Sequence, residues 1–249
     1  MILDGIDTGY EGKFDFPGER EKPDLAYLLA TVPRTGSTWF SHLLWRTGCL
    51  GAPLEYLNFE GHYAFAGNSP ELQRSLWRSV LRRRTSPNGV FGFKAFPMQL
   101  QALHDGNPAL LSEVMSLVHP RRVLYLARRD GVAHAVSYAR ASLSGIWRKE
   151  QEGSNEPLEY SQTALETAER WIALQAAAWE NMFRDLRIAP LRLWYEDAVA
   201  HPAQAVRQIA DYLGVAIDSG AEVRIPEVRK QQEGDSRSWA EQYERSKAG

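Results

Sequence analysis

The sequence predicts an α/β fold in which a central parallel sheet is flanked by helices, and three observations support this. Short, continuously apolar segments alternate with amphipathic helical segments, which is typical of parallel strands buried on both faces. Polar residues suited to chemistry follow the ends of the apolar segments, where parallel sheets bind their ligands. The 249 residues suffice for one such domain with a sizeable core, and they contain no internal repeat.

The predicted elements begin and end at ordinary start and stop signals. Gly48 terminates the first helix, the turn sequence Ser86-Pro87-Asn88-Gly89 closes the second, and Gly214 terminates the last. In chain order the predictions are strand 25–32, helix 38–47, helix 72–84, strand 90–93, strand 123–127, helix 132–142, helix 165–186, strand 191–195 and helix 202–213.

The polar N-terminal stretch sets the predicted domain organisation. Residues 1–22 contain glycine and proline and are predicted to form an arm, and residues 23–249 form the domain. The Arg82-Arg83-Arg84 run at the end of helix 72–84 is expected to be a solvated helix end.

The composition excludes several classes of protein. A net charge of −2 argues against general nucleic-acid binding, which requires a basic face. The single cysteine, Cys49, excludes a disulfide framework and a cysteine-based zinc site. The sequence shows no secretory signal and no apolar stretch of the ~20 residues that cross a bilayer, so a soluble, cytoplasmic protein is expected.

The loop after the first strand has the pattern of a phosphate cradle. It reads Pro33-Arg34-Thr35-Gly36-Ser37-Thr38 and leads directly into a helix. The N–H groups at a helix N-terminus bind anions, glycine allows close approach of the backbone, and the serine and threonine hydroxyls can donate. The structural alternative is an ordinary strand-to-helix turn in which a serine or threonine caps the helix.

The same loop lacks the lysine of a nucleoside-triphosphate P-loop. That motif requires a lysine directly before Ser or Thr, whereas Gly36 precedes Ser37 and the basic residue, Arg34, comes earlier. The expected ligand is therefore a nucleotide whose 5′-phosphate is held without magnesium or another metal.

A second candidate phosphate site follows the third strand. Arg129 stands just beyond the strand end, and Ser137 lies two turns into the next helix. An arginine fork and a hydroxyl together could hold one more phosphate. The alternative is that the arginine forms an ordinary ion pair.

Together these motifs resemble those of sulfotransferases that use 3′-phosphoadenosine 5′-phosphosulfate (PAPS). Residues 33–38 look like the family's 5′-phosphosulfate loop, and Arg129 and Ser137 match the spacing of its 3′-phosphate pair. Tyr195 opens a segment that is similar to the late strand–helix unit, and Lys230 falls in the basic loop that closes on the 3′-phosphate. The resemblance covers roughly residues 25–240 and implies a P-loop-like sulfotransferase fold with PAPS as co-substrate and no metal.

Within this family the chain is most similar to the bacterial branch typified by mycobacterial trehalose 2-sulfotransferase. Many animal and plant members carry lysine where Arg34 stands and a catalytic histidine where Phe96 stands. In the bacterial branch a glutamate after the first helix is the general base, and the matching residue is Glu55. Lys94 is expected to assist. The structural alternatives are a surface or helix-capping role for Glu55 and an ion pair for Lys94.

The resemblance implies transfer of a sulfuryl group from PAPS to a hydroxyl of a carbohydrate or glycolipid, with a trehalose-like sugar as the expected acceptor. It is also compatible with a homodimer. Trp147 and Tyr195 are the candidates for stacking on adenine. Two alternatives remain at this point: a small-molecule kinase that needs magnesium, and an inactive module that binds adenosine 3′,5′-bisphosphate.

Overall fold

A computed structural model describes residues 7–18, 20, 22–57, 69–147, 158–217, 222–226 and 234–248. Within these residues, four strands form one parallel sheet in the order β2-β1-β3-β4. The strands are β1 (Leu25–Thr31), β2 (Val90–Ala95), β3 (Arg122–Ala127) and β4 (Leu191–Trp194). The predicted α/β fold with a central parallel sheet is confirmed.

Helices cover the sheet and extend beyond it. They are α1 (Ser37–Trp45), α2 (Pro70–Arg84), α3 (Pro97–Gly106), α4 (Pro108–Val118), α5 (Gly131–Ser144), α6 (Gln162–Asp185), α7 (Tyr195–Ala200), α8 (Pro202–Leu213) and α9 (Gly234–Ala248). The sequence predicts α1, α2, α5, α6 and α8 but not the other four helices. Proline occupies the first position of both α3 and α4, where its missing N–H costs nothing.

Two of the strand ends that differ from the prediction change the setting of candidate site residues. β4 ends at Trp194, so Tyr195 is the first residue of α7 rather than the last residue of a strand. β2 continues through Lys94 to Ala95. It gains support beyond residue 93 because the Lys94 N–H donates to the Leu54 carbonyl at 2.9 Å.

The core has two layers because both faces of the sheet are buried. Leu28 and Ala30 of β1 face a layer that includes Trp179 and Phe183 of α6. Leu29, between them in the strand, faces the opposite layer, to which α1 and α8 contribute. Successive side chains of a strand point to opposite faces, so a strand buried on both sides reads as a continuous apolar run.

The described part of the N-terminal arm packs into the first of these layers. Tyr10, Phe14 and Phe16 are buried there. Arg84 is fully buried, donates to the carbonyls of Gly9, Glu11 and Phe14, and pairs with Asp15 at 3.0 Å. The expectation of a solvated arginine run is therefore wrong for Arg84, although Arg82 is exposed. The predicted boundary between arm and domain at residues 22 and 23 stays a prediction.

The parallel strands place four connections at one edge of the sheet, the carboxyl edge. These connections are the loop after β1, the end of β2, the residues between β3 and α5, and the start of α7. Most of the predicted site residues lie in these connections. Within the described segments, no helix is long and apolar enough to cross a membrane.

Candidate active site

The loop between β1 and α1 adopts a left-handed backbone at two residues. Arg34 has φ of 68° and Gly36 has φ of 93°. Gly36 is required here for a second reason, because a Cβ at this position would lie 2.2 Å from the Tyr195 ring. The backbone can make this turn, directly against α7, only with glycine at position 36.

The start of α1 has no side-chain cap, because Gly36 is the residue that precedes the helix. The alternative in which a serine or threonine caps the helix is therefore wrong. The first N–H groups of a helix have no acceptor within it, and the helix dipole makes this end positive. The arrangement is suited to a phosphate or sulfate group.

Some side chains of the loop pack inside it and stabilise the turn, whereas others are exposed to solvent. The Thr35 hydroxyl donates to the Val32 carbonyl at 2.7 Å, so it stabilises the turn from within. Pro33 and Ser37 are buried, whereas Thr38 is exposed. The sequence placed all four in one binding loop, and the structure distributes them between the inside and the outside of that loop.

Arg34 connects the loop to α5. Its Nε donates to the Ser137 Oγ at 3.1 Å, and its Nη1 donates to the Trp147 carbonyl. Two of the residues predicted for different phosphates, Arg34 and Ser137, are thus brought into direct contact.

Arg129 points to a different partner. Its guanidinium forms two hydrogen bonds with the Asp197 carboxylate, one of them at 2.6 Å, and lies 4.9 Å above the Trp194 ring. The hydrogen bond from Arg129 holds the pKa of Asp197 below its usual range, even though slight desolvation opposes this. Arg129 and Ser137, which were predicted to act together, contact Asp197 and Arg34 respectively in this structure.

The connection after β3 is fixed by Glu196. Its carboxylate accepts the N–H groups of Arg129 and Asp130 at 3.1 to 3.2 Å. Partial burial acts to raise the pKa of Glu196, but these N–H donors hold it below its ordinary value. Glu196 therefore joins α7 to the residues that open α5.

The two aromatic candidates occupy different positions. The Tyr195 ring packs behind the loop, edge-on to Trp39 at 6.1 Å and beneath the Arg128 guanidinium at 5.5 Å. Trp147 is 39% exposed and lies edge-on to Tyr138 at 5.6 Å. Its exposure leaves Trp147 more surface than Tyr195 for contact with a ligand ring.

Glu55 and Lys94 form a close ion pair at the end of β2. The Lys94 Nζ lies 2.8 Å from the Glu55 Oε1, and the lysine side chain is almost fully buried. The pair is brought together because Leu54 forms a bridge with Phe93, which sets residue 55 beside residue 94. The hydroxyl of Tyr10 also donates to the Glu55 carbonyl at 3.2 Å. Glu55 is therefore neither a surface carboxylate nor a helix cap.

His134 belongs to this region but was not predicted from the sequence as a site residue. It is buried on α5, and its Nε2 lies 2.8 Å from the Pro33 carbonyl. Burial lowers its pKa to about 4, against a small opposing effect of the hydrogen bond. A lone histidine in a helical pattern gives no sign of such a contact, because its partner lies 101 positions earlier.

Two further expectations concern Lys230 and metal binding. Lys230 lies outside the described residues. Among the described residues, no group of three or more histidine, cysteine, aspartate and glutamate side chains is arranged to hold a metal ion.

Comparison with known proteins connects this geometry to an enzyme family. The family model of the Stf0 sulphotransferases matches residues 26–246. Trehalose 2-sulfotransferase of Mycolicibacterium smegmatis is 24% identical to this chain, and the alignment covers 88% of this chain and 94% of that protein. Trehalose 2-sulfotransferase of Mycobacterium tuberculosis is also 24% identical, and that alignment covers 87% of this chain and 93% of that protein.

Solved structures give matches of lower identity. The sulfotransferase domain of the Synechococcus PCC 7002 olefin synthase is 17% identical, with a TM-score of 0.46 over 81% of this chain and 77% of that one. A sulfotransferase from Alicyclobacillus acidocaldarius is also 17% identical, with a TM-score of 0.45 over 89% of this chain and 94% of that one. The family match itself spans nearly the whole chain, including the loop, the ion pair and the β3–α5 connection. The chain therefore belongs to the Stf0 sulphotransferase family and is a sulfotransferase.

Proposed function

We propose that this sulfotransferase transfers a sulfuryl group from PAPS to a hydroxyl of a carbohydrate or glycolipid, with a trehalose-like sugar as acceptor. One observation carries the proposal: the anion-binding loop and the Glu55–Lys94 pair lie at the carboxyl ends of two neighbouring strands, β1 and β2, and so at the same edge of the sheet. The names of the two mycobacterial relatives support the choice of acceptor.

The residues present fit a nucleotide that carries a 5′-phosphosulfate. The uncapped start of α1 offers N–H donors to such a group. Arg34 adds a charge that remains at all physiological pH values. PAPS supplies, when bound, a sulfuryl group activated by a 5′-phosphate leaving group. Residues 33–38 would hold its phosphosulfate, and Tyr195 would support the loop from behind.

The 3′-phosphate is assigned to Arg129, Ser137 and Lys230. The Arg129 guanidinium has the fork geometry that binds phosphates with two parallel hydrogen bonds. In this structure the same two nitrogens donate to the Asp197 carboxylate, which is also an anion. A 3′-phosphate would compete with Asp197 for this arginine.

Glu55 is proposed as the general base. Its carboxylate would accept the proton of the acceptor hydroxyl as the oxygen–sulfur bond forms and the bond from sulfur to the 5′-phosphate oxygen breaks. Proton transfer of this kind contributes about 10²- to 10⁴-fold to rate. Lys94, at 2.8 Å, orients the carboxylate and balances its charge in a buried position. Arg34 and the loop N–H groups would stabilise the charge that develops on the leaving phosphate.

Calorimetric titration with adenosine 3′,5′-bisphosphate tests the nucleotide assignment. AMP and ATP–magnesium serve as controls because each lacks the 3′-phosphate. We expect tight binding of the bisphosphate and weak binding of the other two. Preference for ATP–magnesium would overturn the proposal and favour a kinase.

Transfer to sugars tests the acceptor. Radiolabelled PAPS would be incubated with trehalose, with glucose and with a glycolipid that carries a trehalose head group. Labelled product from the trehalose compounds alone supports the assignment. Binding of the bisphosphate with no transfer to any sugar would favour an acceptor of another class or an inactive nucleotide-binding module.

A further inference from the structure

Four successive backbone carbonyls at the end of β1 and in the loop, residues 31 to 34, each accept a hydrogen bond. The first two carbonyls accept hydrogen bonds from α6 and from the loop itself. The indole Nε1 of Trp179 donates to the Thr31 carbonyl at 2.7 Å. The N–H and hydroxyl of Thr35 donate to the Val32 carbonyl at 3.3 and 2.7 Å.

The next two carbonyls are held by one residue of α5 and one residue of the connection that precedes it. The Nε2 of His134 lies 2.8 Å from the Pro33 carbonyl, and the Nη1 of Arg128 donates to the Arg34 carbonyl at 3.4 Å. A carbonyl can only accept, so the His134 proton of this contact is on Nε2. Because burial lowers the pKa of His134 to about 4, the imidazole is neutral at ordinary pH.

The direction of these carbonyls matters for an anion. A carbonyl oxygen carries partial negative charge, and one turned toward a bound phosphate would repel it. In a planar trans peptide, the carbonyl of one residue and the N–H of the next point in opposite directions. Tying the Pro33 carbonyl to buried His134 therefore points the Arg34 N–H away from the interior.

We propose that His134 is a positioning residue for the anion-binding loop: its imidazole keeps the Pro33–Arg34 peptide oriented so that the carbonyl faces the protein and the N–H faces the 5′-phosphate. The left-handed backbone of Arg34, which a non-glycine residue adopts at a cost, is consistent with a peptide held from outside the loop. This role rests on the proposed function of the loop as the 5′-phosphate site.

A pair of polar substitutions separates the hydrogen bond from general packing. The side-chain nitrogen of glutamine in His134→Gln can reach the position of Nε2. The shorter side chain in His134→Asn ends near the position of Nδ1 and leaves the Pro33 carbonyl without its donor. Each variant would be titrated with adenosine 3′,5′-bisphosphate, AMP and adenosine 3′-monophosphate, and its thermal unfolding recorded.

We expect His134→Asn to weaken the binding of the two ligands that carry a 5′-phosphate by about 10-fold. This is the scale of one lost hydrogen bond to a charged group, here that of the Arg34 N–H to the 5′-phosphate. Adenosine 3′-monophosphate should bind as it does to the unaltered protein. His134→Gln should keep the affinity for all three ligands within about 3-fold. The matched control is Tyr27→Phe, which removes another buried hydrogen bond to a carbonyl, that of Leu50, away from the loop. It should lower the unfolding temperature and leave all affinities unchanged.

Three results would overturn the role of His134. They are equal weakening by the Gln and Asn variants, equal weakening of the 3′-monophosphate, and unchanged 5′-phosphate affinity in His134→Asn. If His134→Asn does not fold, a loss of 5′-phosphate affinity in His134→Gln still contradicts the role. The chemical-shift change of the Arg34 N–H on addition of AMP to the unaltered protein then provides the independent test, and its absence overturns the role. Failure of the unaltered protein to prefer the bisphosphate contradicts the proposed function instead.

Discussion

At the scale of single residues, the ion pair of Glu55 and Lys94 is the feature with the most direct consequence for chemistry. A nearly buried lysine is stable only with a compensating partner, and the 2.8 Å contact supplies one. The same contact holds the carboxylate in one orientation at the end of β2. A group fixed in this way is suited to accept a proton from a hydroxyl that is also fixed.

Glu55→Gln tests this at the level of one atom. We expect the turnover number to fall by about 10²- to 10⁴-fold, because the amide cannot accept the proton. The affinity for adenosine 3′,5′-bisphosphate should not change, since the amide oxygen can still accept from Lys94. Steady-state kinetics and calorimetry measure the two quantities. Turnover at the normal rate would rule out Glu55 as the base.

A second prediction concerns Asp197, whose carboxylate accepts two hydrogen bonds from the Arg129 guanidinium. We expect Asp197→Asn to tighten the binding of adenosine 3′,5′-bisphosphate severalfold, because the 3′-phosphate no longer competes with a carboxylate. Stability should hardly change, since both side chains are about half exposed. AMP, which has no 3′-phosphate, is the control ligand. Equal tightening of AMP, or weaker binding of the bisphosphate, would contradict the assignment of Arg129.

At the scale of elements, the loop, α1 and α7 form one unit because the Tyr195 ring packs against Gly36. The contact leaves no room for a Cβ and also requires a left-handed backbone. The start of α1, which presents the N–H donors, is therefore positioned by the first residue of α7.

Gly36→Ala is expected to disrupt this unit. The added methyl group would lie 2.2 Å from a ring carbon, so either Tyr195 or the loop must move. Binding of adenosine 3′,5′-bisphosphate should be lost or weakened by at least about 10-fold, as measured by calorimetry. Gly145→Ala is the matched control, because Gly145 has φ of 70° with nothing within 4 Å of the added Cβ. The control carries the left-handed cost of about 1–2 kcal/mol without the clash. Equal effects on binding would show that the contact with Tyr195 is irrelevant.

At the scale of the whole molecule, the free energy of unfolding depends on pH through buried titratable groups, of which His134 is one. His134 has a pKa of about 4 in the fold against 6.5 as the ordinary value. A base with a lowered pKa binds its proton more readily in the unfolded chain. Its stabilising contribution is therefore complete above pH 6.5 and is lost as the pH falls from 6.5 toward 4.

We expect the free energy of unfolding to fall by about 3 kcal/mol over this pH range through His134 alone. Urea unfolding at a series of pH values measures the loss. In His134→Gln the slope between pH 6.5 and 4 should become smaller, since glutamine does not titrate. An unchanged slope would mean that other groups cause the acid sensitivity.

Features that depend on neighbouring residues were predicted from the sequence, whereas contacts between residues far apart in the chain were not. The parallel sheet, the first loop and five of the helices were predicted from patterns within a few residues, because strand and helix periods and stop signals are local. α3 and α4 were missed although both begin at proline, a favourable first position. The burial of Arg84 was also not predicted, because a basic run at a helix end is usually solvated. The carbonyl groups that bind Arg84 lie 70 to 75 positions earlier in the chain.

The sequence by itself determined the strand–loop–helix unit at residues 25–45, the glycine at its turn, and the order of the strands and helices that were recognised. These depend on backbone preferences and on apolar periodicity, which are properties of neighbouring residues. Only the tertiary structure decided the partners: Arg34 with Ser137, Arg129 with Asp197, Glu55 with Lys94, and His134 with the Pro33 carbonyl. The contact between Arg34 and Ser137 joins residues 103 positions apart, and the packing of helices on the sheet, rather than any local preference, brings such residues together.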